Sequence, residues 1–205
     1  MRWRKRQLEL ADYVGARCCV DITGSAAGAW TGGCRENYDP GFQREIIAGI
    51  REIVDEVKPT RTFYTLEPMP WMIPYSPENY LDVLKRIDRP AVAVHMDAVN
   101  MVTSPEKLLF NREFLDRCFE LLGPLTKACH IKDVRLETPL TVRLIESPCG
   151  QGDMDLVHYL ELAHAVSPDM PVIIEHLKTF EEYMESLRYV QELARRSGND
   201  LGFRR

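Results

Sequence analysis

Apolar runs of four to seven residues alternate along this chain with amphipathic stretches of ten to eighteen, and that alternation limits the possible folds more than any motif does. The strand candidates built on these runs lie at 16–24 (ARCCVDITG), 61–67 (RTFYTLE), 91–97 (AVAVHMD), 127–133 (KACHIKD), more weakly at 142–146, and at 171–176 (PVIIEH). Strands this apolar must be covered on both faces, as in a parallel sheet whose crossover helices pack against it, so the expected class is α/β. The intervening stretches suit those helices. Phe42, Ile46, Ile50, Ile53, Val54 and Val57 recur at helical spacing, and Pro59 follows them. Ser76-Pro77 and Ser104-Pro105 each place a capping hydroxyl before a proline, predicting helix starts for 77–87 and 105–122. Asp155 is placed to cap another helix, and a last one is expected over 179–196.

A closed barrel of eight βα units takes about 250 residues. The 205 residues here correspond to about six such units in a single domain, residues 1–205. Residues 1–14 read as a helix leading into a strand with no strand before it, so the expectation is a TIM-type barrel incomplete at its N-terminus, lacking the first two strands. No apolar run approaches the ~18 residues of a membrane span. A net charge of −5 gives no overall basic field for nucleic acid or an anionic membrane. The basic start, MRWRKRQLEL, has no apolar segment after it and is not a secretory signal. Six cysteines without a C-x-x-C pair fit a reducing, cytoplasmic setting.

The polar residues at the strand ends carry the chemistry. Glu67 and Asp97 close two runs, His130 sits near the end of a third, and Glu175 stands near the end of the last. In a parallel barrel the C-terminal strand ends converge on one mouth, so four side chains remote in sequence would meet there. A single carboxylate in such a place ordinarily caps a helix or a turn. Four in register read instead as a hard, oxygen-rich site for a divalent metal, Mn²⁺ foremost, with Mg²⁺, Co²⁺ or Zn²⁺ as alternatives.

TLEP at 65–68, HMDAVN at 95–100, CHIKD at 129–133, GQGDMD at 150–155 and VIIEH at 172–176 stand in an order that resembles the sugar phosphate isomerase/epimerase group of the xylose isomerase-like TIM barrels. The likeness extends from about residue 5 to residue 197. It implies that Glu67, Asp97, His130 and Glu175 hold the metal, and that Glu67 and Glu175 act as acid and base beside a substrate carbonyl. Epimerisation and isomerisation of a sugar or keto-sugar through an enediolate both follow from that chemistry, as does elimination by a lyase, a dehydratase or a C-glycoside-cleaving relative. The family often has a histidine where this chain has Asn100, and relatives often use an arginine near Arg135 to hold a substrate oxygen. His95, Asn100, Arg135, Trp30 and Trp71 are therefore the expected substrate contacts, although His95 could equally belong to the core, Arg135 to a solvated loop, and the tryptophans to the barrel rim. Met69 and Met72 stand with Trp71 in a loop that could wall the pocket. Asp133 is read as orienting His130 or capping a loop, and His176 as pointing away from Glu175.

The related apurinic-site endonucleases need more histidines and a basic surface than this chain has. An incomplete barrel also admits an inactive fragment or a subunit completed by a partner. Open strand edges near 16–24 and 171–176 invite pairing between chains, so a homo-oligomer is expected. Size-exclusion chromatography with light scattering should give an assembly larger than one 23.6 kDa chain; a monodisperse monomer overturns that expectation.

Overall fold

The first helix, α1 (Arg2–Val14), stops where Gly15 adopts the left-handed conformation at φ 71° and donates its N–H to the Asp12 carbonyl. The computed structural model describes residues 1–29, 32–138 and 140–196. The chain divides into two units, one of Met1–Met96 with Leu125–Ala128, the other of Asp97–Pro124 with the residues from Cys129 onward.

In the first unit, β1 (Cys18–Asp21), β2 (Phe63–Leu66) and β3 (Val92–Met96) pair in parallel, with Val20 opposite Thr65 and Leu66 opposite Val94. Helix α2 (Pro40–Val57) connects β1 to β2 and buries Ile47, Ile50, Ile53 and Val54; its cap is Asp39, whose carboxylate accepts the Phe42 N–H. Helix α3 (Pro77–Ile87) begins as the sequence predicts, with Ser76 accepting the Asn79 N–H and Pro77 in the first turn. It buries Tyr80, Val83 and Ile87, each contributing about 1.5–3 kcal/mol of apolar transfer. The Tyr80 hydroxyl donates to the Leu66 carbonyl, which holds the end of β2 against α3.

The second unit begins with α4 (Ala98–Met101), α5 (Pro105–Leu109) and α6 (Asn111–Leu122). The sequence predicts one helix over 105–122; the chain instead turns at Phe110. The reason is Asn111, whose amide donates to the Leu108 and Asp153 carbonyls while its oxygen accepts the Asp155 N–H, work that a mid-helix position would not allow. Strand β4 (Thr126–Ile131) begins in the first unit, and its second half pairs in parallel with β7 (Val172–Ile174) in the second. Between them come the hairpin of β5 (Asp133–Glu137) and β6 (Arg143–Ser147), then α7 (Leu156–Val166); α8 (Phe180–Arg196) follows β7. Among the described residues the parallel sheet has the order β1-β2-β3-β4-β7, so β1 and β7 are its edges.

The 142–146 run is thus a strand, but not one more βα unit: β6 lies antiparallel to β5, with Leu136 opposite Leu144. Too few residues separate Glu137 from Arg143 for the crossover that parallel pairing requires. Among the described residues no helix is long and apolar enough to cross a membrane.

Asp133 sets the base of the hairpin. Its buried carboxylate accepts the N–H groups of Val134 at 2.9 Å and of Gly150, Gly152 and Met154 at 3.0 Å. Burial pushes its carboxyl upward, and the four donors pull it back in part. Gly152 must be glycine, since a Cβ there would stand 2.3 Å from Asp133 Oδ1 and 2.6 Å from the Val134 carbonyl oxygen. The GQGDMD turn is therefore wound around one carboxylate, with Asp155 free at its end to cap α7 by accepting the His158 N–H. Replacing Asp133 by Ala would orphan four donors; equilibrium urea unfolding should show a loss of about 3 kcal/mol or more, and a loss below about 1 kcal/mol would refute this role for the clasp.

Candidate metal centre

Within the second unit, β4 presents His130 near its end, and Lys132 directly follows the strand, two residues on and hence toward the same side. The β4–β7 register, His130 opposite Ile173 and Ile131 opposite Ile174, brings Glu175 alongside them as β7 ends. His130 Nδ1 lies 3.0 Å from Glu175 Oε1 and 3.6 Å from Asp97 Oδ2. Lys132 Nζ lies 2.6 Å from the same Glu175 oxygen and 2.8 Å from Asp97 Oδ2. One ligand atom from each of Asp97, His130 and Glu175 lies within 4.8 Å of the others. The Tyr159 hydroxyl donates to the His130 carbonyl at 2.8 Å and fixes that stretch of β4.

Asp97 serves two functions. Its Oδ1 accepts the Asn100 N–H at 3.0 Å and caps α4, while its Oδ2 faces Lys132. Burial alone would raise its pKa, but the Lys132 ammonium, the His130 hydrogen bond and the Asn100 N–H prevail and hold it well below the usual carboxylate range. Glu175 is lowered in the same way, with burial opposed by His130 and Lys132. Burial would likewise depress Lys132, and the carboxylates of Asp97, Glu175 and Glu146 reverse that and raise it. Cys129, beside His130 in sequence, has its thiol pushed up to about 12 by burial and is no nucleophile.

Two partners escaped the sequence reading. His176 does not point away from Glu175: it takes a left-handed backbone at φ 59°, which breaks strand alternation and leaves its Nε2 3.5 Å from Glu175 Oε2. Its Nδ1 lies 3.1 Å from Glu146 Oε1, and Glu146 Oε2 is 3.7 Å from Lys132 Nζ. Glu146 comes from β6, so only the hairpin pairing reveals it. Lys132 did have a signal, the i, i+2 spacing with His130.

In the first unit, Glu67 directly follows β2, is 8% exposed, and donates its N–H to the Asp21 carbonyl at 2.9 Å, extending the β1–β2 ladder by one residue. His95 on β3 is wholly buried, with its backbone N–H directed at the Tyr80 hydroxyl. Trp71 is half-buried, and its carbonyl accepts from the Asn37 amide at 2.9 Å. Met69 and Met72 beside it are buried. In the second unit, Asn100 is half-buried on α4. Arg135 is exposed on β5, 3.2 Å from Glu137, and lines a cavity of about 480 Å³ with Glu146, His176 and Lys178. Trp30 lies outside the described residues.

Asp97, His130 and Glu175 make a donor set of two carboxylates and one imidazole within the second unit, each offering one ligand atom, and that chemistry fits a hard divalent cation. The sequence matches the xylose isomerase-like TIM barrel family over residues 1–201. No curated protein matches it. Among solved structures, a xylose isomerase-like TIM barrel protein from Mycobacterium smegmatis in complex with magnesium superposes with a TM-score of 0.71 at 17% identity, covering 95% of this chain and 66% of that one. A D-tagatose 3-epimerase-like protein gives 0.65 at 16% identity over 95% and 68%. The probable 3-DHS dehydratase AsbF from Bacillus anthracis gives 0.67 at 14% identity over 94% and 69%. The chain thus spans about two thirds of the length of these structures, and at such identity the likeness establishes the fold, a partial TIM barrel of the α/β class.

Asp97 is buried, and its removal would take one counter-charge from Lys132 and the cap from α4. Asp97→Ala should lower the unfolding free energy by about 3–5 kcal/mol, measured by urea titration in the presence of a chelator; an unchanged midpoint would contradict the pairing.

Proposed function

Because this chain belongs to the xylose isomerase-like TIM barrel family, we propose that it is a divalent-metal-dependent isomerase or epimerase of a sugar or keto-sugar. The observation that carries this reading is the gathering of Asp97, His130 and Glu175 within the second unit, two carboxylates and an imidazole whose ligand atoms lie within 4.8 Å of one another. Glu67 is assigned as the fourth ligand. The cation, Mn²⁺ by preference, would supply Lewis-acid polarisation of the substrate carbonyl.

The remaining steps belong to the chain's own residues. Glu175, a carboxylate held ionised by His130 and Lys132, suits removal of the proton from the carbon next to the carbonyl. Glu67 is the partner that returns a proton from the other face, giving epimerisation; return from the same side to the neighbouring carbon gives isomerisation. Arg135, Asn100, His95, Trp71 and Trp30 are proposed to hold the substrate's hydroxyls and apolar edges. The protein is assigned to the cytoplasm as a homo-oligomer. Elimination begins with the same proton abstraction, and the fold shared with a probable dehydratase keeps that outcome as the second reading.

Incubation with ketoses in D₂O and a divalent cation should place deuterium on the carbon beside the carbonyl, detected by mass spectrometry, whereas elimination would instead yield an unsaturated, ultraviolet-absorbing product. Glu67→Gln and Glu175→Gln should each reduce exchange by about 10³-fold. Exchange that survives both substitutions at the parent rate, or that ignores a chelator, defeats the proposal.

A further inference from the structure

Lys132 is an unusual neighbour for a cation site. Its side chain is 2% exposed, and its ammonium contacts Asp97 Oδ2 at 2.8 Å and Glu175 Oε1 at 2.6 Å, oxygens of two of the proposed ligands. Neither oxygen is idle in the folded chain. In the second unit the two carboxylates and Lys132 sum to one negative charge with His130 neutral. Without Lys132 the same groups would carry minus two, so the lysine halves the net charge that draws a divalent ion in. Glu146, 35% exposed on β6, stands 3.7 Å from the ammonium on the hairpin side and holds His176. It is a fixed counter-charge outside the ligand set.

We infer that Lys132 is a resident cation of the centre: it holds Asp97 and Glu175 together in the ion-free protein and, by opposing the incoming charge, keeps divalent-ion affinity moderate. It is a positioning residue and acts through the two carboxylates. This rests on the metal-site reading proposed above and deepens it, since it assigns to one side chain both the stability of the empty centre and the affinity of the loaded one.

The electrostatics impose opposite signs on two substitutions. Lys132→Met removes the opposing charge, so Mn²⁺ should bind about tenfold more tightly or better. Glu146→Gln removes an attractive charge without touching a ligand, so Mn²⁺ should bind several-fold more weakly. Isothermal titration of purified full-length protein with Mn²⁺ alone reads both effects, and thermal melting with and without chelator reads the rest. Chelated Lys132→Met should melt below chelated wild type, because two buried carboxylates lose their partner, yet gain more on Mn²⁺ addition. A purely structural lysine would lower the melting point without tightening binding, and that result overturns the inference, as does a shift of both variants in one direction. Wild type that binds while Lys132→Met binds no better refutes the inference alone. Wild type that fails to bind while Lys132→Met binds supports it and defeats the metal-dependent function. Should Lys132→Met not fold, Lys132→Gln, which removes the charge but keeps a donor for the two carboxylates, takes its place: tighter Mn²⁺ binding supports the inference and unchanged or weaker binding refutes it.

Discussion

A charge at the end of a buried strand must be answered by another charge, and in this protein that demand organises the second unit. Asp97 and Glu175 are drawn from elements far apart in sequence, yet both point at the ammonium of Lys132. Desolvating three ions costs several kcal/mol each, and the cost is recovered only where geometry is tight and the remaining lone pairs are occupied. That condition explains the surrounding detail: Asn100 takes the second oxygen of Asp97, His130 and His176 approach the two oxygens of Glu175, and Tyr159 holds the backbone of His130. The β4–β7 register follows as a requirement, because a slip of one residue would turn His130 and Lys132 to the opposite face together.

Much of the fold could be read in the sequence because local signals and long-range packing agree there. Ser76-Pro77 and Asp155 start helices where capping chemistry says they should, and the five apolar runs become five parallel strands. The reading failed where a side chain had a partner that no local pattern encodes. Phe110 breaks a periodic helix because Asn111 is committed to the turn at 153–155. The run at 142–146 has strand composition, but its direction depends on the five residues that separate β5 from β6, and no helix fits in so short a link.

The site divides along the same line. Strand-end position was enough to single out Asp97, His130 and Glu175, since a parallel sheet delivers such residues to one side without further instruction. The competing view of Asp97 as a helix cap holds for one of its oxygens, which caps α4, while the other faces Lys132. The direction of His176 was misjudged because it depends on a left-handed backbone, and Glu146 was invisible because it depends on the hairpin. Lys132 was legible in position, but its significance comes only from what surrounds it.

The clasp around Asp133 separates two responsibilities within a few residues of chain. On one side lie His130 and Lys132, where displacement would disturb the charge balance; on the other the hairpin runs outward to a tip where Leu140 is fully exposed. With its root tied by four backbone donors, the outer hairpin is insulated from the charged cluster beneath it. Changes in the length or composition of that outer arm therefore leave the four-donor root, and the placement of His130 and Lys132 beside it, undisturbed.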